Sequence, residues 1–197
     1  MVDFLIGVFL ATLIVALFTT RLYRLLMWYS LNSATLGLLA LVIGETLDDT
    51  AMLIMGVVTL ALKAAAIPYI LKYLSQKFHM RRQITPKIRI QYAILLVPAI
   101  LVFTFYLAEP IGHMTGANGN YVAVSISSLF LSLLLMMEHQ NIAPKIVGFL
   151  SMENALFLLG TTATGGMPML VELGIFFDLL MAIVVINLLF RVEEAEI

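Results

Sequence analysis

The length of its apolar runs most constrains what this chain can fold into. A helix rises about 1.5 Å per residue, so roughly 20 apolar residues cross the ~30 Å of bilayer hydrocarbon. Several runs reach that length, among them the uncharged stretch from Gln91 to Ala108 and the segment MLVELGIFFDLLMAIVVINLLF. The whole chain is 62% hydrophobic and 12% charged, with mean hydropathy +1.05, well beyond the apolar share of a soluble domain. Its 197 residues would suit one small globular domain by length alone, and the apolar runs overrule that reading. Backbone polar groups in hydrocarbon must be satisfied within their own segment, so the runs are expected to be helices. The expected fold is all-α, a polytopic membrane protein over 1–197.

Seven spanning helices are expected, at about 3–20, 26–44, 50–74, 91–108, 121–137, 145–163 and 168–190. Charged or turn-forming residues separate them. Arg21 to Arg24, Glu45 to Asp49, a basic stretch from Gln76 to Arg89, and the Gly- and Asn-rich segment Gly112 to Asn120 are the first four breaks. Glu138 to Pro144 and Thr164 to Pro168 complete the set, with Pro144 and Pro168 at helix starts, where a missing N–H costs nothing. Threaded seven times, the chain puts Arg21, Arg24, Lys72, Lys77, Arg81, Arg82, Lys87, Arg89, Lys145 and Arg191 on one side. Glu45, Asp48, Asp49 and Glu109 fall on the other, which receives no Lys or Arg. That asymmetry predicts an outside N-terminus and a cytoplasmic C-terminus in the inner (cytoplasmic) membrane. The first run follows Met1-Val2-Asp3-Phe4, which lacks a basic region, and ends at Thr19-Thr20 without a small-x-small site, so it is expected to be retained. Helices one to three and five to seven are similar in spacing, but their residues do not match as a repeat.

The chain contains no cysteine, which removes disulfides, thiolate metal sites and iron–sulfur ligation. No phosphate-binding glycine loop, dinucleotide fingerprint or Ser-His-Asp order is present. His79, His113 and His139 fall in separate breaks without metal-ligand spacing. No cofactor, bound metal, catalytic residue or nucleic-acid partner is therefore expected.

The candidate functional residues are the ionisable groups inside the apolar runs, where a carboxylate at the bilayer centre costs about 3 kcal/mol even on a lenient scale. Glu153 lies in IVGFLSMENALFLLG, about 12 Å from the cytoplasmic end of the sixth expected helix. Glu172 and Asp178 share the seventh, six residues apart and so on different faces. Lys63 sits near the middle of the third, five residues before Pro68, which frees a carbonyl close to the lysine. Buried carboxyls exchange protons nearer neutral pH, so Glu153, Glu172, Asp178 and Lys63 are read as a proton relay. Their structural reading is an ion pair that locks helices together, and Lys63 is expected within reach of a carboxylate. Asn154 is expected to hydrogen-bond across helices. Glu138 and His139, adjacent at a helix end, are a further place for protons to enter. The basic stretch from Lys72 to Arg89 suits lipid headgroups or a docked cytoplasmic subunit.

The segment from Asn141 through Gly148-Phe-Leu-Ser-Met-Glu153-Asn154-Ala155 resembles the second helix of NADH-quinone oxidoreductase subunit K, with its glycine-x-x-x-x-glutamate motif. That three-helix subunit carries buried glutamates in its second and third helices, and Glu153 and Glu172 take their places by this match. The resemblance covers the last 60 or so residues and divides the chain into a four-helix part, 1–110, and a subunit K-like part, 120–191. Asp178 has no acidic counterpart in subunit K. The chain length, the four extra helices and MPMLVELGIFFDLLMAIVV are more similar still to hydrogenase-4 component E of group 4 hydrogenase and formate hydrogenlyase-type complexes. The resemblance implies a non-catalytic membrane subunit of a complex I-like assembly, partnered by antiporter-like subunits, the subunit nearest the redox arm, and lipid. The residues also leave open a self-sufficient small cation/proton antiporter and a purely structural assembly subunit.

Overall fold

A computed structural model describes residues 1–77, 84, 90–115, 118–139 and 141–164 of the chain. All its regular elements are helical: α1 (Val2–Leu17), α2 (Leu22–Leu47), α3 (Thr50–Val58), a π-helical segment (Thr59–Ala66), α4 (Ile67–Lys77), α5 (Ile90–Thr115), α6 (Gly119–Glu138) and α7 (Ile142–Thr164). The π-helical segment joins α3 and α4 into one rod without a break. That rod, α2, α5, α6 and α7 are each long and apolar enough to cross a membrane, whereas α1 has 16 residues. The seventh expected helix, 168–190, lies outside the described residues, as do Glu172 and Asp178.

Several helix ends differ from the sequence reading because local capping, more than hydropathy, sets them. α2 runs from Leu22 to Leu47, absorbing most of the first two expected breaks. Only Asp48 and Asp49 turn the chain there. Asp48 adopts a left-handed conformation (φ 54°), which aspartate tolerates better than most residues. Asp49 then caps α3, its Oδ1 accepting the Ala51 N–H at 2.9 Å. α5 continues through Pro110 to Thr115, whereas a loop was expected from Gly112. The carbonyl that Pro110 leaves unserved is that of Tyr106, a residue on the exposed face, so the helix survives the loss. Asn118 caps α6 through an Oδ1 bond from the Asn120 N–H at 3.0 Å. α7 starts at Ile142, with Pro144 inside its first turn, so Glu153 lies eleven residues in, about 17 Å from that end, deeper than the 12 Å expected.

α1, α2, α6 and α7 form the packed centre. Leu13, Leu17, Leu25, Tyr29, Leu131, Leu135 and Leu150 make its largest apolar cluster, and Phe9, Leu36, Leu39, Phe157 and Leu158 anchor a second. α5 packs along one side of α6 and exposes Tyr92, Leu95, Val102, Phe103 and Tyr106. In water so large an apolar surface would be a liability, whereas a hydrocarbon solvent matches it. Glycines set close approaches between helices. A Cβ on Gly37 would lie 3.1 Å from the Gly56 carbonyl, and one on Gly56 would lie 3.0 Å from the Gly37 carbonyl, so α2 and α3 meet backbone to backbone. Gly148 does the same for α7, where a Cβ would lie 3.1 Å from both the Ser132 carbonyl and the Met136 nitrogen of α6. The helices alternate in direction, which sorts the exposed charges by end. Arg21, Arg24, Lys72 and Lys145 lie at one end, and Asp3, Glu45, Asp48 and Glu109 at the other.

Candidate functional site

The π-helical segment is a defect with a visible cause. Its wider turn, marked by the i+5 bond from the Ile67 N–H to the Leu62 carbonyl, comes directly before Pro68. A proline has no N–H and crowds the carbonyl four residues back, here Ala64. Ser30, on the facing side of α2, donates its hydroxyl to that Ala64 carbonyl. The carbonyl expected to be freed near Lys63 therefore exists, and it is answered from a neighbouring helix. π-Helical turns are rare and recur at functional positions. Ser30→Ala is expected to cost about 0.5–1.5 kcal/mol, the net worth of one hydrogen bond to a part-buried acceptor. Adding Pro68→Ala, which restores a backbone donor for Ala64, should recover most of that loss in thermal unfolding of the detergent-solubilised protein.

Lys63 projects from this segment to α7, where its Nζ lies 3.2 Å from Oε1 of Glu153. Both residues are buried, 3% and 4% exposed. Glu153 is the middle residue of α7, so the pair sits at mid-depth of the bundle. Transferring two charges from water into such surroundings costs several kcal/mol per ion, so the pair holds together because each compensates the other. The expectation that Lys63 reaches a carboxylate is met within this chain, and Glu153 faces other helices.

Asn154, next along α7, carries the polar surface onward. Its Nδ2 donates to Ser33 Oγ at 2.9 Å and to Asn32 Oδ1 at 3.2 Å on α2. Asn32 in turn donates to the Phe9 carbonyl at 2.9 Å and to Thr12 Oγ1 at 3.2 Å on α1. Three helices are thus tied by one buried chain of amides and hydroxyls beside the ion pair. Asn154 is the residue of this chain singled out from sequence; Asn32, Ser33 and Thr12 carry no sequence signal, since a lone polar residue in an apolar run does not name its partner.

Glu138 and His139 lie at the basic end, where α6 stops. Both are buried at 3% exposure, and among the described residues Oε2 of Glu138 has no hydrogen-bond partner. His139 donates from Nδ1 to the Leu135 carbonyl at 3.1 Å. Burial pushes its imidazole below the usual histidine pKa, against the smaller opposing pull of that bond. These two residues lie at the end of α6, whereas the Lys63–Glu153 pair lies at the middle of α7, about 17 Å along that helix from Ile142. A separate row of buried hydroxyls runs along α6. Ser127 bonds Thr104 of α5, Ser125 lies 3.4 Å from Thr162 of α7, and Ser132 donates to the Ser128 carbonyl at 2.7 Å.

The chain is 28% identical over 168 residues to the uncharacterized protein Rv0085 of Mycobacterium tuberculosis, an overlap of 84% of this chain and 75% of that one. No protein-family model matches the chain, and no solved structure matches it.

Proposed function

We propose that this chain is a non-catalytic, seven-span membrane subunit of a complex I-like respiratory or hydrogenase complex, of the hydrogenase-4 component E kind. Its buried carboxylates contribute to translocation of protons or sodium ions between antiporter-like subunits and the redox arm. The observation that supports this most is the Lys63–Glu153 pair, a titratable couple at mid-depth on a π-helical break. A buried carboxyl next to a lysine holds or releases its proton according to where the ammonium sits, which is what a relay requires. Glu172 and Asp178 complete the relay in this reading, with Glu138 and His139 at the end where protons enter. The basic end faces the cytoplasm. A cysteine at Asp48 should then react with an impermeant thiol reagent added outside intact cells, and labelling of a cysteine at Arg24 alone inverts the topology.

Glu153→Gln keeps shape and hydrogen-bonding capacity and removes the titratable proton. The intact complex carrying it should keep redox turnover with an artificial acceptor and lose ion pumping, read as proton uptake into vesicles. Pumping equal to wild type would take Glu153 out of the path and leave the subunit as scaffold.

A further inference from the structure

We propose that the groove between α2 and α4 seats an anionic phospholipid, its phosphate on Lys72 and its acyl chain against Trp28, Leu31 and Pro68. The groove has a volume of about 930 Å³, toward the upper end of what specific small-molecule sites offer. Its polarity runs in one direction. Ser30, bonded to the Ala64 carbonyl, marks the depth of the ion pair, one residue from Lys63. Lys72 follows Ala64 by eight residues, which at 1.5 Å each is about 12 Å along the axis. With the ion pair at the middle of a ~30 Å hydrocarbon layer, that puts the Lys72 ammonium close to its edge, where phosphates begin. Tyr23 reaches the same level from α2, seven residues or about 10 Å from Ser30, and both Tyr23 and Gln76 line the groove there.

The charge at this end selects the headgroup. Arg21 just before α2, Arg24 on α2 and Lys72 on α4 are exposed, and among the described residues no exposed carboxylate lies at this end. A basic cleft between helices at the headgroup level attracts anionic lipids over zwitterionic ones. Deeper, the walls are apolar and aromatic, with Trp28, Leu31, Ala34 and Pro68 offering surface to a hydrocarbon chain. Tyr69, 73% exposed beside them, has the amphipathic ring that sits well between chain and headgroup. An apolar helix from a partner subunit is the competing occupant, and it would offer the Lys72 ammonium no counter-charge. The proposal stands apart from the relay reading, since it needs only that these helices lie in a bilayer.

The test uses the full chain purified in mild detergent, with native mass spectrometry of bound lipid during titration with phosphatidylglycerol or phosphatidylcholine. Wild type should retain one phosphatidylglycerol and bind phosphatidylcholine more weakly. Lys72→Gln should weaken phosphatidylglycerol about fivefold, the factor one lysine near an anionic surface supplies. Ala34→Trp fills the apolar part without touching any charge and should abolish retention of the lipid. Equal binding of the two lipids by wild type, or phosphatidylglycerol retained undiminished by both variants, overturns the proposal. So does a partner subunit held at this groove with no lipid present.

Discussion

Replacing Glu153 alone by leucine will destabilise the protein by about 3–5 kcal/mol, whereas replacing Lys63 and Glu153 together by methionine and leucine will cost little or nothing. The pair lies at 3.2 Å with both side chains almost fully buried, so each charge is tolerated because the other is there. Removing the carboxylate takes the counter-charge from an ammonium that is almost fully buried. Removing both leaves two apolar side chains of similar volume, and the desolvation cost disappears along with the attraction. Thermal unfolding of the three proteins in one detergent measures the difference. If single and double variants lose the same stability, the two charges are not coupled and the pair is incidental. The result also bears on function, because a pair that costs nothing to replace is retained for something other than stability.

Gly148→Leu will push α7 away from α6, cost about 3 kcal/mol and break the ion pair with it. A Cβ at this position would lie 2.5 Å from Cγ of Met136, which can move, but also 3.1 Å from the Met136 nitrogen and the Ser132 carbonyl, which cannot. Overpacking against a side chain alone costs about 1–3 kcal/mol, and a backbone obstacle puts this site at the upper end. Glu153 is five residues further along the same helix, so displacing α7 carries it away from Lys63. Gly7→Ala is the matched control. Nothing lies within 4 Å of a Cβ there, so that change should be neutral or stabilise α1 by up to about 1 kcal/mol. A Gly148→Leu protein as stable as Gly7→Ala would mean that α6 and α7 do not pack as closely as described.

Much of this architecture follows from sequence because hydrocarbon leaves the backbone few choices. A long apolar run must bond its own N–H and C=O groups, so runs of that length become helices whatever their side-chain detail. Charges then mark the ends, and among the described residues Arg21, Arg24, Lys72 and Lys145 collect at one of them. The spacing of Gly148 and Glu153 was legible as a motif, and the contact of Gly148 with α6 supplies its physical sense. Helix ends were less legible, since Asp48, Asp49 and Asn118 set them through single hydrogen bonds and one left-handed residue, which hydropathy does not register.

Partner choice belongs to the tertiary structure alone. Lys63 had several carboxylates in the chain as candidates, and only the relative depth and rotation of two rods distant in sequence put Glu153 within 3.2 Å. Pro68 announced a freed carbonyl, but that Ser30 serves it, and that the helix widens to a π turn beside Lys63, depends on how α2 lies against the rod. The links from Asn154 to Asn32 and on to Thr12, and the groove that ends at Lys72, arise the same way. A solvent that enforces helices is written into composition. Which buried polar groups meet is decided by packing, because a helix presents every side chain at some angle and only its neighbours determine which angle matters.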